Sequence, residues 1–337
     1  MRDGVCLARE TIAVNNERTG SWSRYWTTGA LHSCPGSYAG NYSGEIAAFW
    51  CEVAHSFAAG SCGIDIGCGN APVADLIFRY SDPKRLPTIH LLDAATIAPP
   101  WLHGVSAPVR EHSVLHPGTL VEAMPFDSAS IDWAVSQYGI EYSDLDCSLA
   151  ELVRVLKPNG HVALVMHATD SVLADVARVE VTHCEWLLHA QGPIVAAARL
   201  LEPMSRVRDA RSGQALRHDA AANEARQNFN ACMRALDARV AVSEAPDILL
   251  DARHVIAQIF GGVQTAGLSW GESQLLLFRQ MLSDSQLRSS ELIQHALGES
   301  ALARMAEVFR GTGRRVQTRA IHDRQRKMGW ALNAIAP

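Results

Sequence analysis

The chain has 337 residues, 48% hydrophobic and 19% charged, with a formal net charge of −5. That is enough chain to bury a full core, in one large domain with an insertion or in two smaller ones. A pI near 6.3 excludes a general nucleic-acid binder, which needs a basic face. Eight cysteines without a Cys-x-x-Cys pair exclude a disulfide-stapled scaffold and read as reduced thiols of a cytoplasmic protein.

The first ten residues carry charges where a signal peptide needs an apolar core, and no later run has the length of a bilayer span, so neither export nor a membrane is expected. Residues 1–20 read as a polar lead-in. Residues 22–42 then gather Trp22, Tyr25, Trp26, Tyr38 and Tyr42 with His32 among glycines, as an aromatic loop. Ser43 and Glu45 open a helix to about Phe57, with Ile46, Phe49, Trp50 and Val53 on one face.

Strand and helix then alternate. Strands are predicted near 62–66, 88–92, 110–115, 131–136 and 160–166, and helices near 72–80 and 144–157, which means a parallel sheet covered on both faces. Lys157-Pro-Asn-Gly160 reads as a helix stop and turn. From 170 to about 310 the strand signals nearly vanish and several helices are predicted, far more chain than a crossover requires. Residues 315–322 and 328–335 read as two strands joined by a charged turn, and the Arg and Lys run from Arg310 to Lys327 as a solvated hairpin face.

Between the first strand and its helix lies Gly63-Ile-Asp-Ile-Gly-Cys-Gly-Asn-Ala71, with glycines at 67 and 69 where the backbone must turn sharply and leave room for a ligand. Asn70 stands where a dinucleotide site carries further glycine, and this counts against a pyrophosphate. The second strand ends in Asp93, at the distance where nucleotide-binding folds place an acid for ribose hydroxyls. Cys68 reads as a small filler. His112 and His116, and His183 and His189, are spaced suggestively for a metal, but Pro117 and the strand reading argue against chelation by the first pair, and no metal is expected.

These two blocks, followed by Ala123–Tyr138 and Leu152–His167 in that order, resemble the class I S-adenosylmethionine-dependent methyltransferases, most closely the small-molecule branch with the ubiquinone and menaquinone methyltransferases. The resemblance implies an α/β, Rossmann-like, seven-stranded, mostly parallel sheet over 43–169 and 311–337, with helices on both faces and an antiparallel last strand. From the residues themselves, 170–310 read as a helical insertion shaping the acceptor pocket, and 1–42 either as a lid whose Trp26, Tyr38 and Tyr42 face the sulfonium of the cofactor, S-adenosyl-L-methionine, or as a satellite hydrophobic cluster under a long loop. The resemblance places Asp65 near the cofactor's amino group, with Gly67, Cys68 and Gly69 along its methionine portion. Asp93 and Ala94 come at the ribose, and Ser136, Gln137 and Tyr138 beside the methionine portion. The aspartate usual before the Ala-x-x-Leu-Pro-Phe block is replaced by Leu120, so Val121 and Glu122 are expected at the adenine.

The partner implied is a small-molecule methyl acceptor, and a homodimer is compatible with the composition. Methyl transfer needs positioning, and a base only where the nucleophile carries a proton. His167, at the end of the fifth strand, is the first candidate, with Tyr138 and His32 behind it. Non-methylating chemistry on the same fold, or a non-catalytic cofactor-binding protein, are the rival readings.

Overall fold

Apolar residues run nearly unbroken through the central strands, as in Trp133–Val135 and Val162–Met166, which gives one sheet two apolar faces. The computed structural model describes residues 16–33, 40–207 and 214–336, so Tyr38 lies outside the described residues. Its strands are β1 (Cys62–Ile66), β2 (Thr88–Asp93), β3 (Ser113–Pro117), β4 (Ile131–Gln137), β5 (Leu156–Met166), β6 (Arg315–Asp323) and β7 (Arg326–Ile335). They form the seven-stranded sheet β3-β2-β1-β4-β5-β7-β6. The first five pair in parallel and β7 runs antiparallel to both its neighbours, as expected. Because the chain steps outward from β1 to β3 and then returns to β4, the strand order reverses between β1 and β4. Ligands bind such sheets outside the carboxyl ends at this reversal.

On one face, α2 (Gly44–Ser56) and α3 (Pro72–Tyr80) join Ile89, Leu91, Trp133 and Val135 in a core that also holds Trp26 and Tyr42. On the other, α5 (Leu145–Val155) and α11 (Glu299–Gly311) pack with Ile64, Ile66, Leu164 and Leu332. The predicted face of α2 is borne out, since Ile46, Phe49, Trp50 and Val53 are all buried.

Three local expectations need correction. Residues 16–27 are helical (α1), where a lead-in and a loop were predicted. Lys157–Gly160 does not separate helix from strand but bulges from β5: Ile131 pairs with Leu156 and Trp133 with His161, so a step of two on β4 faces a step of five. In the charged run, Arg314 is buried instead of solvated, and its guanidinium donates to the bulge carbonyls of Gly160 and Lys157 at 2.8 and 2.9 Å.

The chain divides into two units, 1–174 with 291–337, and 175–290. The sheet belongs to the first. The second is helical over its described residues, drawing on α6 (Val172–Leu188), α7 (Pro193–Ser205), α8 (Ala220–Val242), α9 (Asp247–Ala266) and α10 (Leu268–His295). It has a core of its own, including Leu187, Leu201, Leu236, Ile256 and Phe278. No described helix is long and apolar enough to cross a membrane.

Candidate functional site

The turn after β1 is built from backbone. Gly67 and Gly69 have φ of +61° and +53°, which side chains rarely adopt. A Cβ on Gly67 would lie 2.8 Å from the Cα of Gly139, so two glycines back onto each other across the ends of β1 and β4. Ser136, fully buried, ties the same strand ends: its hydroxyl donates to Ile66 O at 2.8 Å and accepts from Ile140 N at 3.0 Å. It does not line the cavity that opens above this turn.

Two carboxylates flank the turn. Asp65 is buried, accepts the Ala74 N–H, and leaves Oδ2 without a partner; desolvation, opposed by that hydrogen bond and aided by nearby Asp93, pushes its pKa up to about 8. Asp93 is half-buried, accepts from Gly69 N and Ala95 N at 2.8 Å each, and is raised to about 6, again chiefly by desolvation. Each oxygen of Asp93 can still accept a further hydroxyl. Burial raises the Cys68 thiol well above its usual range, which keeps it protonated and unreactive.

At the end of β4, Gln137 accepts the Trp50 indole N–H, while its own Nε2 is buried without a partner. Tyr138 holds a left-handed backbone, φ +55°, a strained position for a side-chain-bearing residue. Its ring stacks on His167 at 4.1 Å. His167 is 2% exposed; its backbone N–H and Nδ1 both meet Glu141 Oε1, at 2.8 and 2.9 Å. It therefore lies behind Tyr138 and not in the cavity wall.

The opposite wall is α1. Trp22 stacks on Trp26 at 5.5 Å and meets Tyr142 edge-on at 6.2 Å. The Trp26 indole occupies the space a side chain at 69 would need, so Gly69 is required by Trp26 as well as by any ligand. The Asn70 amide fastens the segment by donating to Trp26 O and Ala30 O at 3.0 and 2.7 Å. His32 stacks on Tyr42 at 4.7 Å, and its Nε2 lies 3.0 Å from Gly40 O. Burial lowers its pKa, which keeps the ring neutral near pH 7.

The cavity thus brings together Trp26, His32, Tyr42, Gly67, Cys68, Asp93, Ala94, Val121, Glu122, Gln137 and Tyr138 of the expected residues. Asp65, Gly69, Ser136 and His167 stand behind its surface. Arg18, Thr19, Leu120 and Tyr142 also line it. Arg18 lay in the segment read as a lead-in; the signal for it was helical spacing, since 18, 22 and 26 fall on one face of a helix. The histidines form no metal site: His112 bonds Thr88, His116 bonds His90, His183 bonds Ser243, and no group of three metal-ligating side chains occurs among the described residues.

The unpartnered Asp65 Oδ2 and Gln137 Nε2, the glycine turn and the half-open Asp93 fit a zwitterionic nucleoside ligand. Residues 64–164 match the family model described as a methyltransferase domain. Among solved structures the chain is similar to geranyl diphosphate C-methyltransferase from Streptomyces coelicolor in complex with Mg2+, geranyl-S-thiolodiphosphate and S-adenosyl-L-homocysteine. Identity is 15% over 36% of this chain and 43% of that one, with a TM-score of 0.32. It is also similar to the YcgJ protein of Bacillus subtilis, 22% identical over 40% and 58% of the two chains with a TM-score of 0.31. A third is a SAM-dependent methyltransferase from Aquifex aeolicus, 17% identical over 35% and 63% with a TM-score of 0.30. The chain spans less than two thirds of the length of each. No curated protein matches it.

Proposed function

We propose that the protein transfers a methyl group from S-adenosylmethionine to a small, uncharged acceptor. The observation that carries this is one cavity shared by the Gly67 turn, the Asp93 carboxylate and five aromatic side chains, Trp22, Trp26, Tyr42, Tyr138 and Tyr142. In this reading Asp93 holds the ribose hydroxyls, Val121 and Glu122 face the adenine, and Asp65 with Gln137 serves the amino-acid end. The cofactor, when bound, supplies an electrophilic methyl group beside the aromatic walls. The walls exclude water and orient the acceptor, and a planar apolar face suits them.

An uncharged acceptor is favoured because the charged groups of the described wall are already engaged. Arg18 pairs with Glu291, Asp93 accepts two backbone N–H groups, and Glu122 accepts the Asp144 N–H. An anionic acceptor in particular would be buried without a counter-charge of its own, since the lining arginine already pairs with Glu291. Where the nucleophile carries a proton, His32 is the imidazole positioned to take it, being in the wall and neutral near pH 7. His167 supports Tyr138 from behind.

The test is calorimetric titration with S-adenosylhomocysteine, followed by detection of S-adenosylhomocysteine release from S-adenosylmethionine over a panel of neutral and charged acceptors. Micromolar binding and turnover on neutral members are expected. With a proton-bearing acceptor, His32→Ala should lower kcat about a hundredfold, and the wild-type rate should fall on acidification as the imidazole protonates. A loss confined to His167→Ala, with His32→Ala unaffected, would return the base to His167.

A further inference from the structure

The start of α1 is held by a contact whose chemistry runs one way only. Arg18 lies in the first turn of the helix, and its Nη2 is 3.0 Å from Nε2 of His295, the last residue of α10. A guanidinium donates and never accepts, so Nε2 must present a lone pair and the ring must be neutral, with its proton on Nδ1. The same guanidinium donates from Nε to Glu291 Oε1 at 2.6 Å and from Nη1 to Tyr142 O at 2.8 Å. One arginine thus joins α1, α10 and the turn after β4.

His295 is half-buried, and the charged groups facing it among the described residues come from three elements: Arg18 from α1, Glu291 one turn back on α10, and Glu141 from the turn after β4. The Tyr142 ring lies 5.4 Å away, with His167 beyond it, 5.9 Å from that ring. Burial first, and Arg18 next, hold the His295 pKa below the ordinary 6.5; the two carboxylates and a backbone hydrogen bond at Glu141 oppose them without prevailing. Acid would put a proton on Nε2. Two N–H groups and two like charges would then meet across 3.0 Å with no acceptor between them, and the contact could not survive. What Arg18 holds is the wall: residues 18, 22 and 26 share one face of α1, Trp22 meets Tyr142 edge-on, and Trp26 fills the space beside Gly69.

We infer that His295 positions α1 through Arg18 only while its ring is neutral, so that acidification loosens the aromatic wall of the cavity and deprotonation restores it. An imidazole whose pKa is lowered by folding contributes stability that is fully present above 6.5, and that is lost as pH falls through the lower, folded value. His295 is therefore a positioning residue with a proton-dependent grip.

The test reads the helix itself and needs no ligand. Hydrogen exchange gives protection factors for the amides of residues 20–27, each relative to its own intrinsic rate at the pH of measurement. In the wild-type protein these should fall at least about tenfold between pH 7.5 and pH 5, while the amides of α5, Leu145–Val155, keep theirs. His295→Gln offers a carbonyl to Arg18 and cannot take up a proton, so its α1 protection should be the same at both values. His295→Ala, which offers no acceptor, should show low α1 protection at both. Equal protection of α1 in the wild-type protein at the two values overturns the inference, and so does a fall of the same size in His295→Gln. A second measurement uses the wild-type protein alone: the nitrogen resonances of the His295 ring at pH 7.5 should place its proton on Nδ1, and a proton on Nε2 overturns the inference whatever the variants do.

Discussion

The two walls of the cavity are made in different ways. The turn from Gly67 to Ala71 belongs to the sheet: its shape is set by backbone dihedrals, by the close approach of Gly139, and by hydrogen bonds such as Cys68 N to Leu92 O at 3.0 Å. Helix α1 is a separate element held by side chains, with Arg18 fastening its start, Asn70 its end, and Trp26 packed between. A wall made by the sheet's own backbone and a wall made by side chains packed on it can be altered separately by substitution.

The sharpest way to break this contrast is at the sheet's own wall. Gly67→Ala adds a Cβ to a φ of +61° and 2.8 Å from a backbone atom that cannot step aside. It should cost at least about 3 kcal/mol, read as a large fall in Tm. Trp26→Ala attacks the other wall and should cost about 2 to 3 kcal/mol, because it empties a buried site at the margin of the core. Gly69→Ala should then be less harmful in the Trp26→Ala background than alone, since the indole it would strike is gone. Additive losses in that double-mutant cycle would separate the two walls energetically.

If the proposed reading holds, Asp93→Ala should leave the protein folded and weaken S-adenosylhomocysteine by about 10- to 100-fold, about 1.4 to 2.7 kcal/mol, since the carboxylate that accepts the Gly69 and Ala95 N–H groups would also serve the ribose hydroxyls. The smallest effect is a proton. Free Asp65, with a pKa of about 8, is protonated at pH 7, and an ammonium placed against it favours the ionised form. Binding of S-adenosylhomocysteine at pH 7 should therefore release close to one proton, measured by calorimetry in buffers of different ionisation enthalpy. The linkage has a definite sign. A carboxylate raised from 3.8 to about 8 stabilises the fold fully below the lower value, and that contribution is lost as pH rises through the upper one. The ligand-free protein should accordingly melt at lower temperature at pH 9 than at pH 6.

The sheet was legible because parallel strands buried on both faces announce themselves as short apolar runs, and because a glycine turn followed by a strand-end aspartate leaves few alternatives. Asp93 and Gly67, singled out on that basis, and Gln137, singled out by the resemblance, all line the cavity. The α1 wall was not legible, because Arg18, Trp22 and Trp26 were weighed as an arginine in a polar lead-in and aromatics in a loop. Their common spacing of four went unused, and the glycines nearby counted as breakers although the first described ones, Gly20 and Gly29, lie within and just beyond the helix. Position within a strand end was also beyond the reach of pattern. Ser136, Gln137 and Tyr138 are consecutive, yet the first is spent on Ile66 O, the second reaches the cavity, and the third turns its ring over His167. Only the strained backbone at Tyr138 produces that arrangement, and no residue-type signal encodes it.

The paired indoles of α1 have a consequence for observation. Trp22 and Trp26 lie 5.5 Å apart with planes 19° from parallel, close enough for their electronic transitions to couple, whereas Trp50 and Trp133 are fully buried away from the cavity wall. The near-ultraviolet dichroism of the native chain should therefore contain a coupled signal that exists only while this helical turn is intact. The protein carries its own optical gauge of the wall's integrity, readable in milliseconds without a label and without knowledge of the acceptor.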